Sequence, residues 1–358
     1  MKYILRLVFA LLTISLLSGC WDNKDINKRI LPVAMAISLT DAKTYKVGLR
    51  IPPNNAKNMM PRIITGEAST ISEALDRMRG NVESSIDLLH LKLLMIDEKT
   101  AKLGIKEVLE YAIRSHDIAP KALVSVYRGD FIEMLNKKEQ GGAEGGTASY
   151  DYFNKLAGWT PTTSIVYLWE AFRGVYSHTE DFALPIIKPG ERTMFQLDGS
   201  AIMSRGFMVG TISSDDTLIY NIMKGNFQGA NVEVMEHANV LLVDVDFKHR
   251  HHFKSNTPQV ETEMKVIVML LETKGNPSKE QIKEELKNLL SKRAKAMIAK
   301  LQENQSDLFG YGQYFRNDLS HAQLKEWRKN WYPQLKVTLN VKVRIRNSGN
   351  LKFNTIDS

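Results

Sequence analysis

A single cysteine, Cys20, in a chain of 358 residues removes one whole way of holding a fold together. Without a second thiol there can be no internal disulfide, so stability has to come from buried apolar cores. The material for cores is present, with 43% hydrophobic and 25% charged residues, an ordinary globular balance. The length exceeds what one core usually supports, so two or three domains are expected. Nothing after residue 20 approaches 18 consecutive apolar residues, so no membrane-spanning helix is expected there.

The position of the cysteine carries its own information. Lys2 and Arg6 form a positive n-region, and Leu7 to Leu17 form an apolar stretch too short to span a bilayer. Leu17-Ser18-Gly19-Cys20 follows and resembles the bacterial lipobox. Small Ser18 and Gly19 leave the bond before Cys20 open to a peptidase, and the thiol sits where it can accept a lipid. This predicts a cleaved signal peptide over 1–19 and a diacylglyceryl group, with an N-acyl chain, on Cys20. Two acyl chains anchor stably where one is marginal. No other cofactor and no metal is expected.

Along the mature chain, strand and helix patterns alternate. Residues 30–39 and 44–51 read as a hairpin, and Pro52-Pro53 ends its second strand before a polar loop. Thr70 caps a helix with Ile71, Ala74, Leu75 and Met78 on one face. Leu91–Ile96 and Ala122–Tyr127 are buried strands, with helical segments after each. Residues 137–149 are a polar, Gly-rich loop without the strand that a phosphate-cradling loop needs before it. A helix is expected from Thr160-Pro161, with Ile165, Leu168, Trp169 and Phe172 facing inward. Gly199–Met203 and Phe207–Ile212 pattern as a hairpin, and Ser278 caps a long helix. Asp307–Gly312 (DLFGYG) is expected to be helical with Leu308, Phe309 and Tyr311 in a core. The last strand alternates strictly, with Leu335 to Ile345 on one face and Lys336, Lys342, Arg344 and Arg346 on the other.

The resulting expectation is an α/β (α+β mixed) chain of three compact domains, each a β-sheet with flanking helices. A mixed-sheet domain is placed over 20–190 and a small β-rich domain over 191–255. A domain with the long helix and antiparallel strands takes 256–358.

Charge is uneven. Residues 274–358 hold 17 Lys/Arg against 8 Asp/Glu, whereas 21–273 hold 29 against 32. The C-terminal quarter could face anionic headgroups or an acidic partner, and nucleic acid is a poor fit for a secreted chain. The run His249-Arg250-His251-His252 lies among further cations, so a solvated turn is expected rather than a metal site. There is no GxSxG, P-loop, HExxH or CxxC motif. No enzyme is expected.

The order of features resembles the Ger(x)C family, the C-subunit lipoproteins of bacterial spore germinant receptors. Gly19-Cys20-Trp21-Asp22 with Asp25-Ile26-Asn27 is similar to the family's opening. Glu73-Ala74-Leu75, Leu88–Ile96 with Gly104-Ile105, and Gly199–Gly210 match its middle parts. Leu301-Gln302, Ser306–Gly312, Trp327, Trp331 and the basic final strand match its C-terminal run. Thr217–Gly229 lacks the Arg-Gly expected near its start. The resemblance implies three α/β domains, a lipid anchor at the outer face of the spore inner membrane, and two integral-membrane partner subunits, A-type and B-type. It implies nutrient detection by the complex, and no catalysis by this subunit. An alternative class is a lipid-anchored solute-binding protein, which usually shows two similar lobes around a deep cleft. The units here are unequal.

Overall fold

The computed structural model describes residues 29–53, 60–136, 161–191, 195–226, 231–234 and 238–347, with positions 3, 4 and 6 of the leader. Leu17, Ser18, Gly19, Cys20 and the Gly-rich stretch 137–149 lie outside these residues.

Consecutive strands with near-continuous apolar character build the first sheet. β2 (Ala34–Leu39), β6 (Leu93–Asp97), β7 (Leu123–Tyr127) and β8 (Phe182–Pro189) run parallel at its centre. Such runs are what a sheet buried on both faces requires. The period of two divides each strand between two cores. Met35, Ile37, Leu94, Ile96, Val124 and Val126 face one side, and Ala34, Ala36, Leu93, Met95, Leu123 and Tyr127 the other.

Antiparallel strands complete the sheet at both ends. β3 (Tyr45–Ile51) and β4 (Arg62–Ala68) extend it beyond β2, and β9 (Phe195–Ser204) and β10 (Phe207–Ile212) extend it beyond β8. The order is β10-β9-β8-β7-β6-β2-β3-β4. A separate two-stranded pairing joins β1 (Arg29–Ile30) to β5 (Ser85–Ile86). The mixed sheet expected from the first hairpin is found. β4 was missed because Gly66 and the polar positions around it blur the alternation.

Helices cover the faces. α1 (Ile71–Gly80), α2 (Glu98–Leu103) and α3 (Lys106–Arg114) bring Leu75, Ala101 and Leu109 to the first core. α4 (Phe131–Asn136), opened by the Asp130 carboxylate on the Ile132 amide at 2.6 Å, packs on the opposite face. The helix expected from residue 160 is shorter. α5 (Leu168–Tyr176) begins only at Leu168, because Val166 and Tyr167 are held extended against β7. Trp169 is 41% exposed instead of facing inward.

The second sheet has the order β11-β12-β13-β14, formed by Asn231–Val234, Ala238–Lys254, Thr257–Thr273 and Lys336–Asn347. After β10, α6 (Ser214–Met223) is opened by a capping box of Ser213 and Asp216. α7 (Lys279–Glu303) buries Ile282, Leu286, Leu290, Ala294, Met297, Ile298 and Leu301, a stripe at helical spacing, in the same core as the second sheet's inner face. β12 and β13 are antiparallel, but β14 runs parallel to β13, against the antiparallel expectation. Residues 274–335 carry the chain back as a crossover, and a crossover returns a strand in the same direction.

The expected boundaries at 190/191 and 255/256 both fall inside sheets. β8 and β9 are antiparallel neighbours, and Ser255-Asn256 is the tip of the β12–β13 hairpin. The separate middle domain is therefore not seen. β9 and β10 finish the first sheet, while β11 and β12 belong to the second. Ala183 and Ile202 lie in the second core, whereas Leu184 and Ala201 beside them lie in the first, so β8 and β9 are shared.

Gly199 sits at this shared point with φ 78°, and a Cβ there would meet the Ile212 carbonyl oxygen at 2.2 Å. The left-handed conformation alone costs an L-residue ~1–2 kcal/mol. Gly199→Ala should lower stability by ~2 kcal/mol or more in a denaturant titration, and a loss within experimental error would show that the backbone here is free to shift.

Candidate functional site

The two sheets meet at a buried polar junction built from three short stretches: residues 177–181 between α5 and β8, the turn after α7, and the π-helical turn Trp327–Trp331. Asp181 and Arg328 are its centre, with side chains 0% and 2% exposed. Arg328 Nε donates to Asp181 Oδ2 at 2.8 Å, and Nη2 donates to Oδ1 at 2.7 Å. This is the two-pronged geometry that guanidinium and carboxylate favour. The other guanidinium hydrogens reach the carbonyls of His178 (2.7 Å), Ser177 (2.9 Å) and Glu180 (3.0 Å). Asp181 Oδ2 also accepts the Asp307 amide at 2.9 Å and the Ser204 hydroxyl at 3.3 Å. One arginine thus ties the C-terminal segment to the start of β8.

A second carboxylate organises the turn beside it. Asp307 Oδ1 accepts the Tyr311 amide at 2.9 Å. Its Oδ2 accepts the Gly312 amide at 2.7 Å and the Trp327 indole N–H at 2.9 Å. Asp307–Gly312 is therefore a turn wrapped around a carboxylate, not the expected helix, although Leu308 and Tyr311 are buried as expected. Gly310 in the left-handed region breaks the helical path. Burial pushes the Asp307 carboxyl up to about 7, against the pull of the two amides and the indole.

A cleft of about 640 Å³ opens over this junction. One wall is α5, with Phe172, Arg173 and Tyr176. The other includes Arg316 and then α8 (His321–Lys325), with His321 and Leu324. His178 lies within it, its ring centroid 5.5 Å from that of His321. Burial, and then the nearby His321, Arg328, Lys325 and Arg205 side chains, hold the His178 imidazole below its usual value.

The predicted surface residues fall elsewhere. Lys336, Lys342, Arg344 and Arg346 are all exposed on β14, an edge strand, as the alternation requires. The face is less uniformly basic than its strand, because β13 interposes carboxylates. Lys342 Nζ pairs with Glu263 at 2.6 Å, and Lys265 approaches the same carboxylate at 3.5 Å. The histidine run is a strand and not a solvated turn. His249 is half-buried and bonds Thr262 at 3.0 Å, His251 is exposed and lies 3.4 Å from Asp318, and both rings lie against Tyr314. Among the described residues no group of His, Cys, Asp and Glu side chains is arranged to hold a metal ion, and no helix is long and apolar enough to cross a membrane.

Neither Asp181 nor Arg328 was legible as a site residue in the sequence. The available signal was an arginine next to Trp327 inside a helical apolar pattern, and an aspartate opening a buried strand.

The two parts of the chain match two known family models, in order. The family model described as "Spore germination protein N-terminal domain" matches residues 22–189, and that described as "Spore germination B3/GerAC like, C-terminal" matches 198–349. The chain belongs to this GerAC-like, or Ger(x)C, family of spore germination proteins. Spore germination protein B3 of Bacillus subtilis (strain 168) is 22% identical over 289 residues, covering 74% of this chain and 72% of that one. Spore germination protein GerQC of Bacillus cereus is 20% identical over 302 residues, 80% and 83% of the two chains. Putative spore germination protein YfkR of B. subtilis is 27% identical over 151 residues, and the match spans only 39% of each. The crystal structure of the GerBC protein shares the fold, with a TM-score of 0.57, 17% identity, and coverage of 87% of this chain and 97% of that one.

Truncating one partner of a buried ion pair leaves the other uncompensated, typically at ~3–5 kcal/mol. Arg328→Ala should lose about that much stability in chemical denaturation, and a loss below ~1 kcal/mol would show that the pair is dispensable. Asp307 supplies a pH signature. Its folded value lies above that of an unfolded aspartate, so the folded state holds the extra proton and stability falls as pH rises from about 4 to about 7. Measured against Asp307→Asn, the wild-type chain should lose stability across that window and level off above it; a difference that is flat or rises with pH would contradict the assignment.

Proposed function

We propose that this chain is the lipid-anchored C subunit of a spore germinant receptor that detects nutrients. In this reading diacylglyceryl-Cys20 holds the body at the outer face of the spore inner membrane. There it acts by contact with A-type and B-type integral-membrane subunits, not by catalysis. The observation that carries it is the match of both halves of the chain, in order, to spore germination family models.

Three physical arguments support the finer parts. The leader, the lipobox residues Leu17, Ser18 and Gly19, and the absence of any second cysteine in the chain give Cys20 a use as an acylation site. The buried ionisable groups Asp181, Arg328 and Asp307 are consumed by structural hydrogen bonds and present no free acid or base to a substrate. The exposed cations of β14 suit a headgroup layer or an acidic partner, at ~1 kcal/mol for each Lys or Arg near an anionic surface. Tethering raises the effective concentration of the body at that surface, so a modest interface suffices.

The test replaces Lys336, Lys342, Arg344 and Arg346 with Glu in one protein and Cys20 with Ser in another. The Cys20→Ser protein should move from the membrane to the aqueous fraction. The charge-reversed protein should stay membrane-bound, with recovery of the receptor complex from spore membranes reduced by roughly tenfold, the equivalent of ~1.4 kcal/mol. Unchanged recovery together with unchanged germination would refute the role of the β14 surface, and a membrane-bound Cys20→Ser protein would refute the anchor.

A further inference from the structure

The cleft between α5 and the 313–324 segment has the make-up of a small-molecule site. Its volume of about 640 Å³ falls in the ~300–1,000 Å³ range of ligand pockets, and it lies where two packed units meet, a preferred place for one. Phe172, Tyr176 and Leu324 give it an apolar lining. Its charge is one-sided. Arg173 lines it from α5 and Arg316 from the other wall, and His178 and His321 line it with ring centroids 5.5 Å apart.

The one lining carboxylate is already engaged. Glu180 accepts Lys224 Nζ at 2.8 Å and lies 3.9 Å from Arg173. Among the described residues Arg316 donates only to the neutral Gln313 side chain, at 3.3 Å, and it is exposed. Lys224 offsets Glu180, so Arg173 and Arg316 are the excess charge carried by the side chains that line the cleft. A guanidinium on each wall offers planar paired donors suited to a carboxylate or phosphate. An aromatic and aliphatic lining asks for an apolar body next to that anion.

We infer that the cleft over the Asp181–Arg328 junction binds a small organic anion, its apolar body against Phe172, Tyr176 and Leu324 and its oxyanion between Arg173 and Arg316. Such a ligand would bridge the helix before β8 and the C-terminal segment, on either side of the ion pair that joins the two sheets. Its occupancy would therefore bias how tightly the halves are held. The inference rests neither on the lipid anchor nor on the β14 surface.

The test uses the full-length protein in detergent micelles with four probes: phenylacetate, phenyl phosphate, neutral phenylacetamide and cationic phenethylamine. Saturation-transfer NMR and calorimetry read binding, and ¹⁵N-imidazole shifts of His178 and His321 report its place. Either anion should bind with a Kd of about 1 mM or tighter and move both imidazole signals, and the amide and amine should be at least ~10-fold weaker. Phenylacetate against phenyl phosphate identifies the oxyanion preferred. The exposed pair Arg173→Glu/Arg316→Glu should keep the thermal transition of the wild type and lose at least ~10-fold in anion affinity, and rising salt should weaken binding in the wild type. Equal binding of anion and amide, equal binding to the double variant, or no binding up to ~10 mM, a ΔG weaker than ~3 kcal/mol, would overturn the inference. Failure of these probes would leave complex recovery and membrane fractionation unaffected, so the two readings fall separately.

Discussion

Arg328 and Asp181 come from positions 147 residues apart in the chain, and their pairing is the buried ionic contact between the halves. A charged pair taken out of water is stable only if its geometry is good and its remaining donors and acceptors are satisfied. Both conditions are met. The guanidinium has five protein partners, and the carboxylate takes a backbone amide and a hydroxyl besides the arginine. The apolar contacts of α6, β8 and β9 with the second core are non-directional. A bidentate ion pair cannot slide, so it selects one relative placement of the two sheets.

The remaining structure follows from that placement. β8 and β9 face one core with Leu184 and Ala201 and the other with Ala183 and Ile202. The first sheet is therefore not closed off at the point where the family models change, between residues 189 and 198. Sequence family and sheet divide the chain differently. The long α7 and the aromatic group around Trp327, Phe315 and Phe253 complete the second core without a disulfide.

Local pattern was legible where burial is periodic. The stripe Ile282, Leu286, Leu290, Met297, Ile298 and Leu301 and the alternation of β14 are both as expected, since each repeats the geometry of its element. The parallel direction of β14 was not legible, because direction depends on the route of the connection. The domain boundaries failed for the same reason: a hairpin reads alike whether it starts a new unit or finishes an old sheet. Arg328 escaped because a polar residue in an apolar run carries no sign of its partner, which lies 147 residues away, and Asp307 because a carboxylate that accepts nearby amides reads in sequence like any surface aspartate. The histidine run reads as a turn because cations crowd it in sequence, yet Lys248, Arg250 and Lys254 occupy the opposite face of β12 from His249 and His251.

The buried pair, with β8 and β9 contributing to both cores, is expected to make the two sheets one cooperative body. Differential scanning calorimetry of the intact protein under reversible conditions tests it most directly. A single transition, with van't Hoff and calorimetric enthalpies equal, is the predicted result. Two resolved transitions, or a van't Hoff enthalpy near half the calorimetric one, would mean that the halves melt independently and that the junction does not unite them.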